Sequence, residues 1–486
     1  MAQKIRYAGY PATLVYNNED KPVKQLLWGD WMRVTGPESD GWLPVRARNV
    51  DGFVKADEVQ TERLLELVFV DIGQGDGCLL ITPDDRKVLI DAGAGDNMAR
   101  FLRWRFGKFE KPVRFEAAIL SHSDLDHYGG FQDLFAEPNL TFGNVYTNGL
   151  MEREGKAAES LGPKAKRGRV SYLTELVRDK AELEAFVSDP AQVGRKKYPS
   201  MWKKALEGGK FENFQALSVR DGHVPGFGPG TDVVMELLGP VPEDVDGRPL
   251  LRWLGGVGPT KNGHSVVVRI RYRDVTIFAG GDLNIPSESL LLAHHTGAAE
   301  IPKDEAGRMA LAEAAREKLS ADFAKACHHG SADVSRAFLT ALHPLATVIS
   351  SGDDESYSHP RADTLGMIGK HSRGERPAIF STELARSAPE RITNPAALRM
   401  DVDKLAGLLG TELTPAQREK VAERLKENLN RSVTTYGAIN LRTDGDRVVI
   451  AQKVERPKDA KSQWDYYRFE RNAAGELELW SRHEDD

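Results

Sequence analysis

Hydrophobic positions fall into short runs from the start of the chain, and their spacing changes near residue 62. Over residues 1–60, "ATLVY", "KQLLWGDWMRVTG", "GWLPVRA" and "GFVKADEV" recur at turn-sized intervals, with Pro37 and Asp40-Gly41 marking a loop. This spacing predicts short strands in a small β-rich unit. From Leu64 onward the runs lengthen. "LLELVFVDIG", "GCLLIT" and "RKVLIDAG" predict buried strands, a helix is expected around Met98 to Phe109, and "FEAAIL" predicts another strand. The strand pattern resumes at "TDVVMELLG", "SVVVRIRY" and "VTIFAGGD". It is followed by a helical stretch, "EAGRMALAEAAREKLSADFAKA", and by "ATVISSG". Strands alternating with helices predict an α/β layer architecture. Residues 383–430 are expected to be a helical insertion, with Thr414 as N-cap and Pro415 in the first turn. "GAINLRTDG", "RVVIAQK" and the hairpin "DYYRFER…GELELW" close the chain.

A chain of 486 residues exceeds one compact unit. The expected division is 1–60 and 62–486. The net charge of -6 argues against a wholesale nucleic-acid coat. No apolar leader and no run of membrane-span length is present, so a cytoplasmic protein without membrane contact is expected. Cys78 and Cys327 lie far apart in apolar runs, which predicts two buried thiols rather than a disulfide. One segment departs from the global balance. From Glu152 to Lys210 there are 14 Lys/Arg against nine Asp/Glu, a net of +5, in a stretch with little strand signal. It is expected to be a basic insertion at about 152–210. Tyr172, Tyr198 and Trp202 would serve as stacking platforms, and Lys196 and Lys197 as substrate contacts.

The chemistry concentrates in the histidines. His122 and His127 bracket Asp124 and Asp126 in "SHSDLDHYGG", His328 and His329 are consecutive in "CHHGS", and His359 lies in "YSHP". Each stretch follows an apolar run, so the three should gather where strand ends present loops. A lone histidine carries no weight, but four potential ligands within six residues do. Buried carboxylates this close repel one another and pay for desolvation, and a pair of divalent cations removes that penalty. Mixed N/O donors suit Zn, Mn or Fe rather than Ca. The lack of cysteine there argues against a closed structural zinc site.

The ordered set "VDIGQGDGCLL…VLIDAG…SHSDLDHYGG…FAGGDL…CHHGS…SGDDESYSHP…GAINLRTDG" resembles the metallo-β-lactamase fold. More narrowly, it is similar to the soluble hydrolase domain of ComEC-type DNA-uptake proteins, over about residues 64–365 and 433–451. The N-terminal pattern "WGDWMRVTG…GWLPVRARNVDGFVKADEV" resembles a bacterial SH3-type barrel. The resemblance implies an αββα sandwich preceded by a small barrel. Asp124 stands where the wider fold has a second histidine, a departure typical of the ComEC-like branch.

Carried over by position, the resemblance places His122 and Asp124 on a first metal, and Asp126, His127 and His329 on a second. Asp282 would bridge two divalent ions, Zn or Mn. His264 is the nearby candidate for the third ligand of the first metal. Asp71 and Asp91 would orient ligands, and Gly73, Gly75 and Asp76 would shape the turn beneath them. His328, His359 and Ser331 would face substrate. Two ions about 3.5–4 Å apart would activate a water for attack. Asp126 would steer the nucleophile, and His329 or His359 would assist the leaving group.

The implied activity is phosphodiester hydrolysis, most directly by a DNA or RNA nuclease. A small-molecule hydrolase acting on a cyclic nucleotide, phosphoester or lactone is the alternative, and a non-catalytic binding module is a third reading. The chain has no channel spans, so DNA uptake is not implied. The SH3-like module implies a protein or peptide partner, as in a partner-guided nuclease of a defence or stress system. The basic insertion is expected to act as a binding groove, a lid or an inhibitory flap.

Overall fold

Alternation along the first long strands decides how the layers stack. The structure, a computed structural model, describes residues 4–352, 357–383, 395–408, 410–422 and 435–480. Successive side chains of a strand point to opposite faces. In Leu65–Phe69, the residues Leu65, Leu67 and Phe69 therefore face one core while Val68 faces another. Gly77–Ile81 and Lys87–Ala92 extend this strand antiparallel, and Val113–Ile119, Leu140–Thr147 and Phe211–Ala216 continue it in parallel. Ile439–Thr443, Val448–Lys453, Trp464–Arg471 and Leu477–Trp480 are added on the other flank, giving ten strands.

A second sheet of six strands runs Val233–Gly239, Val267–Tyr272, Val275–Ala279, Phe323–Lys325, Ala346–Ile349 and Ala378–Ser381. The two inner faces meet in one core, with Leu67, Leu80, Val88 and Ile119 opposite Val268, Ile270, Ile277 and Val348. Helices Asn97–Arg105, Phe131–Ala136, Lys180–Ser188 and Lys197–Glu207 cover the outside of the first sheet. Ile285–Thr296, Glu305–Leu319 and Arg336–Leu342 cover the outside of the second. The result is a four-layer α/β sandwich. Among the described residues, no helix is long and apolar enough to cross a membrane. Cys78 and Cys327 are both buried and free.

Residues 5–60 form a separate antiparallel sheet of seven strands around Ala8, Val15, Leu26, Met32, Val45 and Val54. It sits on the sandwich through Trp28, Leu64, Val449 and Ala451. The buried Arg442 guanidinium fastens the two, donating to the carbonyls of Leu27 at 3.2 Å and Trp28 at 2.6 Å and pairing with Asp30 at 2.9 Å. Burial would raise the Asp30 carboxyl, but Arg48 and Arg442 outweigh it and hold it well below the usual carboxylate range.

Three expectations need correction. The helical pattern expected through Ala326 stops at Leu319, and Phe323–Lys325 is a fully buried strand between two neighbours. The Asp322 carboxylate accepts from the Thr276 N–H and hydroxyl at 2.7 Å and turns the chain into that register. Tyr172, Tyr198 and Trp202 are not surface platforms, because all three are buried. Trp202 packs edge-on against Phe211 and Phe214, and Tyr198 against Tyr128. Nor does the whole of 152–210 stand off the sandwich. Its second half forms two of the covering helices, while its first half forms the hairpin Lys164–Arg167/Val170–Leu173. That hairpin joins Arg248–Arg252 and Glu243–Val245 in a four-stranded sheet. Of the expected helical insertion at 383–430, Pro395–Leu408 and residues 415–422 are helical, and Thr414 and Gln417 cap the latter reciprocally. Its remaining residues, apart from Glu383 and 410–414, lie outside the described ones.

Candidate metal centre

Strand ends from both sheets meet at one edge of the sandwich. Val113–Ile119 runs out into Ser121, His122 and Asp124, and the single turn Leu125–Tyr128 carries Asp126 and His127. This turn lies against the "GQGD" loop so closely that a Cβ on Gly75, whose φ is +113°, would stand 1.8 Å from the Asp126 carbonyl oxygen. Only glycine fits there. From the second sheet, Val275–Ala279 delivers Asp282, and Phe323–Lys325 delivers His328 and His329, both with left-handed backbone at φ 49° and 54°.

Four side chains converge. His127 Nε2 lies 3.2 Å from Asp282 Oδ1, and His329 Nε2 lies 3.3 Å from Asp282 Oδ2 and 3.5 Å from Asp126 Oδ2. The donor atoms of Asp126, His127, Asp282 and His329 all fall within 4.8 Å of one another. Each ring is anchored from behind. His127 Nδ1 donates to Asp91 at 2.9 Å, His329 Nδ1 to the Ser350 carbonyl at 3.0 Å, and His122 Nδ1 lies 3.0 Å from the Ser121 hydroxyl. The forward atoms, Nε2 of His122, His127 and His329 and Oδ1 of Asp282, are buried without hydrogen-bond partners. Buried polar atoms are normally satisfied. Histidines oriented through Nδ1 with Nε2 presented forward are the arrangement that metal ligands require. The donor set therefore fits a divalent cation.

Residues 78–345 match the metallo-beta-lactamase superfamily, over more than half of the chain. The chain belongs to that superfamily. No curated protein matches it. Among solved structures, a long form RNase Z from yeast is similar at 10% identity and a TM-score of 0.24, with 69% of this chain and 39% of that one covered. The chain thus spans about two fifths of that protein's length.

Charge explains how such a superfamily centre stays folded. Burial works against protonation of His127 and His329. Asp282 and Asp91 beside the first, and Asp282 and Asp76 beside the second, nevertheless hold both rings well above their ordinary value. Burial also opposes charge on Asp126 and Asp282, but the neighbouring imidazoles keep both carboxyls low. Ring protons balance the carboxylates until a cation replaces them. Beneath the cluster, the buried Lys325 ammonium contacts Asp76 and donates to the Gly281 carbonyl at 3.1 Å.

The remaining sequence candidates divide. Asp91 holds His127 and also accepts from Ser121 N and Oγ at 2.7 Å each. Asp71 accepts from Gly73 N at 3.3 Å and packs against Gly437. His328 comes within 4.0 Å of Asp282, and its ring meets that of His359 edge-on at 5.7 Å, at the mouth of the site. Ser331 accepts from Asp333 N at 3.1 Å. Lys196 and Lys197 start the helix Lys197–Glu207 on the outside of the first sheet. His264 does not join the cluster. It is wholly buried, its Nε2 donates to the Arg252 carbonyl at 2.7 Å, and burial lowers it to about 4.

Lys261 was not anticipated. Its ammonium contacts Asp124, pairs with Glu152 at 2.7 Å and donates to the Ser123 carbonyl at 3.2 Å. Asn262, with its amide oriented to satisfy both neighbours, donates to Asp124 Oδ2 at 2.7 Å. The available signal was a Lys-Asn pair directly before an apolar strand, where exposed lysine is not expected. Lys325, placed inside "FAKA", carried the same signal.

Proposed function

We propose that this chain is a metal-dependent phosphodiester hydrolase acting on nucleic acid. The observation that carries the proposal is the convergence of partnerless Nε2 atoms with two carboxylates on one buried point. In this reading Asp126, His127, Asp282 and His329 hold a divalent ion, Zn or Mn. When bound, the ion supplies Lewis acidity to a phosphoryl oxygen and acidity to water. Asp126, a quarter exposed at the rim, orients the attacking water. Both nitrogens of His329 are engaged, Nδ1 by the Ser350 carbonyl and Nε2 by the carboxylates, so the leaving oxygen falls to His359, and His328 beside it contacts a non-bridging oxygen.

Charge supports a polyanionic substrate. Lys164, Lys166, Arg167 and Arg169 are exposed along the hairpin, whose sheet runs through Arg248–Arg252 toward the helix Val257–Gly263 that bears Lys261. With the aromatics buried, this reading rests on phosphate contacts rather than stacking, so binding should weaken steeply with salt. The N-terminal sheet, which exposes Trp31, is assigned in the same reading to a protein or peptide partner. A Trp31→Ala chain with an unchanged in-cell crosslinking profile would refute that assignment.

The deciding experiment is cleavage of labelled linear and circular DNA, and of RNA, with Mn or Zn supplied and the Asp126→Ala/His127→Ala chain as blank. Metal-dependent cutting lost in the double variant is expected. Hydrolysis of small phosphodiesters alone would replace the reading with a small-molecule enzyme. Silence on every ester would end it.

A further inference from the structure

The donor set fits one cation well and a second poorly. A second ion would lie between His122 and Asp124, on the far side of Asp282. His122 does present a partnerless Nε2 there, 3.6 Å from Asp124 and 4.0 Å from Asp282. Asp124, however, is taken on both oxygens, by the Lys261 ammonium on one and the Asn262 amide on the other. The expected third ligand, His264, is turned to the Arg252 carbonyl. Among the described residues, no group of three or more His, Cys, Asp or Glu donors that could hold an ion includes His122 or Asp124.

We infer that this centre is built for a single divalent ion, and that the Lys261 ammonium is the resident cation of the second position. The inference rests on the metal-hydrolase reading above. An ammonium suits the place. Its three donors meet three oxygens, those of Asp124, Glu152 and Ser123, and the side chain is only 10% exposed. Two half-buried carboxylates there without a cation would repel each other and bear part of the cost of desolvation. Lys261 removes that cost within the chain itself. One positive charge beside the reacting phosphate is thus permanent and independent of metal supply, while the other is exchangeable. Glu152 belongs to the same device, because it pairs with the same ammonium at 2.7 Å.

Metal content tests this without reference to turnover. The full-length protein is stripped with chelator, reloaded with excess Mn(II), desalted and measured by mass spectrometry of the native protein and by elemental analysis. One equivalent per chain is expected for the wild type and for Lys261→Arg, and two for Lys261→Ala, in which Asp124 and Glu152 lose their cation. Two equivalents in the wild type overturn the inference, as does a folded Lys261→Ala that still binds one. No bound metal overturns it together with the hydrolase reading, whereas two equivalents leave that reading intact. The electron paramagnetic resonance spectrum of the Mn-loaded wild type decides the matter even if the alanine variant fails to fold. The hyperfine sextet of an isolated ion is expected, and an exchange-coupled pair refutes the inference.

Discussion

Asp91 holds His127 at 2.9 Å from a backbone in the left-handed region, φ +57°, where a non-glycine residue is strained. The same carboxylate grips the N–H and the hydroxyl of Ser121, so the strand end and the His127 imidazole are fixed by one side chain. Asp91→Asn keeps the shape and tolerates the backbone, but loses the negative charge behind the imidazole. Metal affinity should fall about 10–100-fold, as it does when a carboxylate behind a ligating histidine is removed. Competition with a chelating indicator reads this directly. An unchanged dissociation constant would show that Asp91 serves the backbone alone.

The buried pair of Lys325 and Asp76 should behave as a unit. Removing one partner leaves an uncompensated buried charge, at a cost of about 3–5 kcal/mol. Lys325→Met should therefore lower the urea midpoint of the metal-free protein strongly. The double variant Asp76→Asn/Lys325→Met should lose less than the sum of the two single changes. Additive losses would mean that the two groups are not energetically linked.

Glu288 gives a pH signature away from the centre. Burial pushes its carboxyl up to about 8 from an ordinary 4.5, even though the Ser335 N–H donates to it at 2.8 Å. A raised folded value means that the native state holds the proton more tightly. That stabilisation is complete below about pH 4.5 and is lost as pH rises through 8. Glu288→Gln does not titrate. The variant should therefore gain on the wild type between about pH 4.5 and 8, by up to about 1.4 kcal/mol per pH unit. Paired urea melts across that range test the sign, and a constant gap refutes it.

Trp202 and the basic hairpin should separate stability from substrate binding. Trp202→Ala empties a fully buried site and should cost about 3–5 kcal/mol while leaving the hairpin charges in place. Lys166→Glu/Arg169→Glu should leave the melting temperature nearly unchanged and weaken polyanion binding at low salt. Binding titrations alongside thermal melts distinguish the two outcomes. The reverse pattern would return the aromatic residue to the binding surface.

Strand periodicity carried most of the architecture, because "GCLLIT" and "VTIFAGG" are buried at nearly every position and read as continuous apolar runs, while "SVVVRIRY" alternates at its end and leaves Arg271 exposed. The ligand-rich "SHSDLDHYGG" was equally plain, since nothing but a cation calls for so many donors together. What escaped was tertiary. Tyr198, Met201, Trp202 and Ala205 form an i, i+3, i+4, i+7 face, but Lys196, Lys197, Lys203 and Lys204 drew attention to charge instead of burial. The short strand Phe323–Lys325 continued an alanine-rich helical texture and had no period of its own. Lys261 and Lys325 were passed over because lysine is ordinarily a solvent residue. Only the fold shows which carboxylates they face.

The meeting of two sheets at the centre bears on how a newly made chain acquires its ion. Asp126 and His127 leave the ribosome behind the first four strands of the first sheet, Asp282 and His329 follow only after more than 150 further residues, and that sheet's last four strands come later still. Until the second sheet has closed over the first, the nascent protein presents two donors of the four and has no grip that outcompetes cellular ligands. Loading is thereby postponed to the last stage of folding. A chain that misfolds in its second half never assembles the four-residue cluster.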